Sequence, residues 1–167
     1  MNDERSRFIV RRLIDCSSFI VHRSSFMKHW LLKSEPSAYS IDDLQRDGTT
    51  SWDGIRNYQA RNFLRQMIAG DKVLFYASSA EPPGVTGLAE VSGEARPERK
   101  DPTWSMVEIR FGKKFPDIVP LDTLKTTPGL EKMLVVKRGV RLSVQPVSKS
   151  EYDIVVKLGD RSSKRRR

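Results

Sequence analysis

The sequence predicts a mixed α+β domain whose strands, mostly neighbours along the chain, close or nearly close into a small barrel. Three observations carry that reading. "VLFYAS", "GVTGLAEV" and "WSMVEIRF" are β-rich runs, and the last alternates: Trp104, Met106, Glu108 and Arg110 on one face, Val107, Ile109 and Phe111 on the other. Ala60, Phe63, Leu64, Met67 and Ile68 recur at helical spacing. Ser40 with Asp43, and Ser148 with Glu151, place a helix-opening residue three positions before an acid, the pattern of a capping box.

In chain order, "HWLLK" reads as a short buried strand that ends at Ser34-Glu35-Pro36, because the residue before proline is driven to extended geometry. A short helix opens at Ser40 and runs through Leu44. A second helix follows "SWDGIRNYQ", turns Ala60, Phe63, Leu64, Met67 and Ile68 to the core, and stops at Gly70. Arg61 and Arg65 share another of its faces. Asp71-Lys72 turns into the three β-rich runs, with "SGEARPERKDPT" as a polar loop before the last. Short helices fit Pro120 to Leu124 and Gly129 to Leu134. "GVRLSVQPV" reads as a late strand, and the final helix extends to about Leu158. The sequence divides into an Arg- and Ser-rich extension over 1–26, one domain over 27–159 and a basic tail over 160–167. The extension lacks an uninterrupted apolar stretch and a cleavage site, and reads as an over-extended start before Met27.

The 167 residues carry a net charge of +9, but ten of the 30 basic groups lie in the extension and the tail, and the stretch between them is only +3. The tail can attract phosphate in a salt-sensitive way. It can equally be a solvated charge run. The one cysteine, Cys16, excludes an internal disulfide and a cysteine-based zinc site, and a reducing compartment is the simple reading: cytoplasmic, with nucleoid association open, or nuclear in a eukaryote. No apolar run reaches a membrane span of roughly 20 residues. The two histidines, His22 and His29, sit beside no nucleophile signature, and no metal-ligand spacing or phosphate-binding glycine loop occurs. Neither metal nor cofactor is expected. Carboxylates at Glu35, Asp53 and Glu90 could meet in space, so carboxylate-only hydrolysis is the one enzymatic reading left.

Aromatic and polar groups stand together instead. Trp30, Trp52, Tyr58, Tyr76 and Trp104 lie at element boundaries, where planar rings can stack on a nucleobase. Ser34, Asp53, Asn57, Ser78 and Arg141 could read its polar edge. Each also has an ordinary reading: core packing for the tryptophans, an N-cap for Asn57, solvation or ion pairing for Arg56 and Arg61.

The strings "WLLKSEPSAYSIDDL", "WDGIRNYQARNFLRQMIAGDKVLFY", "PPGVTGLAEV", "WSMVEIRF" and "RLSVQPVS" occur in an order and spacing that resembles the EVE domain family from about Met27 to Leu158. The resemblance implies a PUA-like fold, a small mixed or antiparallel barrel-like sheet flanked by helices, and kinship with YTH domains, which read methylated adenine in RNA. It implies a non-enzymatic reader of a modified base, modified cytosine in DNA, with no catalytic partner on the same chain, and leaves a separate partner nuclease unidentified. An RNA-binding module, or a small-molecule or protein-interaction domain with a degenerate pocket, is the alternative. Lys33, Ser34, Glu35, Trp52, Arg56, Asn57, Tyr58, Arg61, Tyr76, Arg141 and Ser143 match family positions. Trp52 is the expected stacking wall, with Ser34, Asp53 and Asn57 on the base edge. Tyr76, Trp30 and Trp104 are further base-binding candidates. Lys33, Arg56, Arg61, Arg141 and Ser143 would contact phosphate or support the site, and Gly54 would allow a close approach or a positive φ. Two departures stand out: Ala77 where the family has a histidine, and a short loop before "WSMVEI" that leaves Trp104 alone to supply an opposite wall.

Overall fold

The computed structural model describes residues 27–161. The expectations for the 1–26 extension, for Cys16 and His22, and for tail residues 162–167 lie outside the described residues. In chain order the elements are β1 (His29–Ser34), α1 (Ile41–Asp47), β2 (Thr49–Trp52), α2 (Tyr58–Leu64), β3 (Lys72–Ala77), β4 (Gly84–Val91), β5 (Arg96–Pro97), β6 (Ser105–Pro120), α3 (Leu121–Thr126), a 3-10 turn at Leu134–Val136, β7 (Val144–Val147) and α4 (Lys149–Arg161).

Both expected capping boxes form. The Ser40 hydroxyl accepts from the Asp43 N–H while the Asp43 carboxylate accepts from the Ser40 N–H. Ser148 and Glu151 do the same at the start of α4. Local chemistry of this kind stays within four residues. α4 continues to Arg161, past the expected end.

Strand order departs from expectation. The sheet runs β2-β6-β4-β3-β1-β7, with β5 beside β6, and only β3–β4 and β5–β6 are neighbours in the chain. β1 and β3 are parallel, a pairing that a hairpin cannot connect, so α1, β2 and α2 form the crossover. The sheet is mixed but open: β2 and β7 are its ends and do not pair among the described residues. α2 lies against both β7 and β6, covering the interior that a closed barrel would seal.

The core explains why β1 and β3 are continuous apolar runs instead of alternating ones. Trp30, Leu32, Val73 and Phe75 pack with Ile41 and Leu44 of α1 and Ala60 and Leu64 of α2. Leu31, Leu74 and Tyr76 face the other way, onto Leu124 of α3 and Val155 of α4. One close backbone approach fixes the β4–β6 edge. A Cβ on Gly84 would lie 2.1 Å from the Val119 carbonyl oxygen. Gly84→Ala is therefore expected to destabilise the domain by about 3 kcal/mol, read as a lower urea midpoint.

Several local expectations give way to tertiary contacts. α2 ends at Leu64, well before Gly70, and Ile68 is 47% exposed instead of core-facing. The cause is Asp71, whose carboxylate takes the Ile68 N–H at 3.1 Å and draws the chain into a turn. The helix expected over Gly129 to Leu134 does not form, because Gly129 adopts φ 89° and donates its N–H to the Glu131 carboxylate. β6 continues nine residues beyond Phe111, and β7 retains only the last four residues of the expected strand.

Candidate functional site

Trp52 ends β2, and the loop after it is shaped by two contacts. Gly54 holds φ 75°, where no neighbouring atom would meet a Cβ, so backbone conformation is what its position requires. Glu98, 7% exposed, then pins the loop. Its Oε1 accepts the Gly54 N–H at 2.9 Å, and its two oxygens accept Arg56 Nη1 and Nη2, each at 2.9 Å. The Arg56 hydrogen bonds, assisted by the Gly54 N–H, hold the Glu98 carboxyl below the usual carboxylate range.

Trp52 is 8% exposed and meets Phe75 edge-on, with centroids 5.7 Å apart and planes at 79°. Its indole Nε1 is buried with no partner among the described residues. A stranded donor of this kind costs about 1–3 kcal/mol. Trp52 lines a cleft of about 320 Å³ together with Ser34, Ala38, Tyr39, Thr50, Ser51 and Asp53. Ser34 Oγ donates to the Tyr39 carbonyl at 2.5 Å, and the Tyr39 hydroxyl donates to Asp47 at 3.0 Å, so that side of the cleft is fixed in place. A neighbouring, more apolar cleft of about 300 Å³ shares Ser34 and Tyr39 and reaches Phe75, Ala77 and Phe115. Ala77 thus leaves open space where the resemblance places a histidine ring.

Of the expected site residues, the fold brings Ser34, Trp52 and Asp53 to one cleft and sends the rest elsewhere. Trp30 is 2% exposed in the core, and its Nε1 donates to Asp71 at 2.8 Å, so it offers no face to a base. Tyr76 follows Phe75 in β3 and therefore points to the opposite face of the sheet, where burial pushes its phenol up. Asn57 caps α2, its Oδ1 accepting the Ala60 N–H at 3.0 Å. It lines a different cleft with Arg141. Trp104 stacks on Tyr58 and supplies no wall opposite Trp52. Arg56 is committed to Glu98, and Arg61 donates to the Thr103 carbonyl at 2.9 Å, as does Arg65 at 3.2 Å, from the helix face they share. Lys33 lies over the Tyr76 ring, and burial pushes its ammonium down. Ser143 accepts the Lys33 N–H through its carbonyl, and the Ser78 hydroxyl donates to the Ser34 carbonyl. Glu90 is held by Lys72 and Arg110, which keep its carboxyl low, the opposite of a general acid.

Tyr39, Thr50 and Ser51 were not singled out by sequence. Tyr39 stands five residues after Ser34 in "KSEPSAYS", a turn that returns the chain to its own strand end. Glu98 gave no signal in a polar loop. Among the described residues there is no group of histidine, cysteine and acidic side chains able to hold a metal, and no helix long and apolar enough to cross a membrane.

An open mixed sheet with helices on both faces and an aromatic-polar cleft at the β1 and β2 ends defines a PUA-like α+β protein. The chain belongs to the EVE domain family, whose model matches residues 28–158. Human thymocyte nuclear protein 1 is 37% identical over 167 residues, spanning 80% of this chain and 74% of that protein. Its crystal structure in complex with 5-methylcytosine-containing DNA matches with a TM-score of 0.72 at 36% identity, covering 80% of this chain and 98% of that one. A protein of known structure from Leishmania major matches with a TM-score of 0.77 at 41% identity, covering 84% and 99%. The YTH domain of Zygosaccharomyces rouxii MRB1 protein, solved with N6-methyladenosine RNA, shares the fold at a TM-score of 0.53 and 15% identity, covering 81% and 88%.

Proposed function

We propose that the chain is a non-enzymatic reader of a modified nucleobase, modified cytosine in DNA, which enters the cleft bordered by Trp52, Ser34, Tyr39 and Asp53. The observation that carries this is the cleft itself, whose volume of about 320 Å³ is at the lower end of ligand-pocket size. It joins an indole to hydroxyl, carboxylate and backbone groups able to meet a base edge. A human relative solved with 5-methylcytosine-containing DNA supports the choice of ligand.

The energetics limit how such a site discriminates. Extruding a base from a duplex costs a few kcal/mol, and stacking returns about 1–3 kcal/mol. One buried methyl adds only about 0.8 kcal/mol, or about fourfold in affinity. Any sharper preference comes from the shape of the cleft.

Matched oligonucleotides with cytosine or 5-methylcytosine test the reading by fluorescence anisotropy. Wild type is expected to favour the methylated form by at least about fourfold. Asp53→Ala, at an exposed position, and Trp52→Phe, which keeps a ring in the core, are expected to abolish the preference. Equal, salt-sensitive binding across proteins and oligonucleotides would leave the cleft without a role. Ribose versions of the same oligonucleotides separate the RNA alternative, since the 2′-hydroxyl is what distinguishes the two polymers.

A further inference from the structure

The loop carrying Trp104 does not fold over the Trp52 cleft; it packs on the first turn of α2. Trp104 and Tyr58 stack with centroids 5.1 Å apart and planes at 30°. The Arg61 guanidinium lies 4.8 Å from the Tyr58 centroid and 5.7 Å from that of Trp104, and the Arg56 guanidinium lies 5.3 Å from Trp104. Both arginines are already anchored, one on Glu98 and the other on the Thr103 carbonyl. They fix the aromatic pair in place. Tyr58 nevertheless remains 63% exposed, a stacked ring with most of its surface in solvent. Core packing does not explain it, because it buries little.

A second observation extends this surface. A groove of about 380 Å³ is lined by Asp53, Gly54, Arg56, Glu98, Arg99 and Lys100, with Met106 at its side. It shares Asp53 with the Trp52 cleft and Arg56 with the aromatic pair. Arg99 and Lys100 are exposed, and neither is ion-paired among the described residues. One continuous path thus leads from the base cleft, past two cations unpaired among the described residues, to an exposed, stacked ring.

We infer that this path holds the strand beside the recognised base: phosphates against Arg99 and Lys100, and an unpaired neighbouring base stacked on Tyr58. The assignment rests on the reader role of the Trp52 cleft. Its ligand chemistry is a polyanion with planar faces, so its contribution is affinity common to all sequences, while the cleft supplies the preference for a modification.

Single-stranded DNA oligonucleotides with one central cytosine or 5-methylcytosine provide the test, titrated over a range of salt. Tyr58→Ala is expected to weaken both about tenfold, leaving their ratio unchanged, while Tyr58→Trp, which keeps the plane, retains binding. Arg99→Ala combined with Lys100→Ala is expected to reduce the salt slope by about 1.4, two phosphate contacts on a single strand. Asp53→Ala, by contrast, alters the ratio. Wild-type affinity and salt slope in the Tyr58 and Arg99/Lys100 variants would overturn the path and leave the cleft reading intact. Tenfold weakening confined to the methylated strand would also overturn it. A wild-type protein that binds neither oligonucleotide would overturn both.

Discussion

Asp71→Ala is expected to destabilise the domain by about 3–5 kcal/mol, read as a fall in the urea midpoint with an unchanged m-value. Asp71 is completely buried and gathers three donors from two parts of the chain. Its Oδ1 accepts the Lys28 N–H at 2.9 Å, and its Oδ2 accepts Trp30 Nε1 at 2.8 Å and the Ile68 N–H at 3.1 Å. One side chain thereby fixes the entry to β1, the largest core ring and the turn between α2 and β3. Alanine removes every acceptor at once. Each stranded buried donor costs about 1–3 kcal/mol, and the total is smaller than the sum because the Lys28 and Ile68 amides are only partly buried. Asp71→Asn keeps one oxygen but turns an NH2 group toward a donor, so it recovers only part of the loss. A loss below about 1 kcal/mol for the alanine variant would mean that water satisfies these groups.

Asp71 also marks the boundary of what the sequence made legible. The starts of α1 and α4 could be read because each capping box is closed by residues three apart. β1 and β3 could be read because strands buried on both faces are continuous apolar runs. The end of α2 could not be read, since its apolar spacing continues to Ile68 and only a folded Asp71 interrupts it. Sheet order was hidden for a similar reason: β2 pairs with a strand more than fifty residues later, and local pattern carries no record of that choice.

Of the candidates that the EVE strings suggest, Ser34, Trp52 and Asp53 share a cleft. Trp30 and Trp104 failed as walls because an aromatic residue near an element boundary has several possible partners. Asp71 claims one, and Tyr58 the other. Tyr76 was a question of parity. Successive strand residues face opposite ways, and Phe75 already packs on Trp52.

Glu98→Gln is expected to lower stability by about 2 kcal/mol at neutral pH and to blunt the preference for a modified base. The carboxylate receives two Arg56 donors and the Gly54 N–H, so it fastens the loop that follows Trp52 and carries Asp53. Charge-assisted, bidentate contacts of this kind are stronger than neutral ones, and the neutral amide presents only one accepting oxygen. The pH dependence distinguishes this from a packing effect. The Arg56 bonds hold the folded-state carboxyl below its ordinary value, so folding binds fewer protons than the unfolded chain. Its stabilisation is complete above the unfolded glutamate value of about 4.3 and disappears as pH falls through the lower folded value. The gap in urea stability between wild type and Glu98→Gln should therefore be widest at neutral pH and narrow in acid. A gap that stayed constant across the carboxylate range would show that the substitution acts through shape alone, and Glu98 would then have no part in holding the loop by charge.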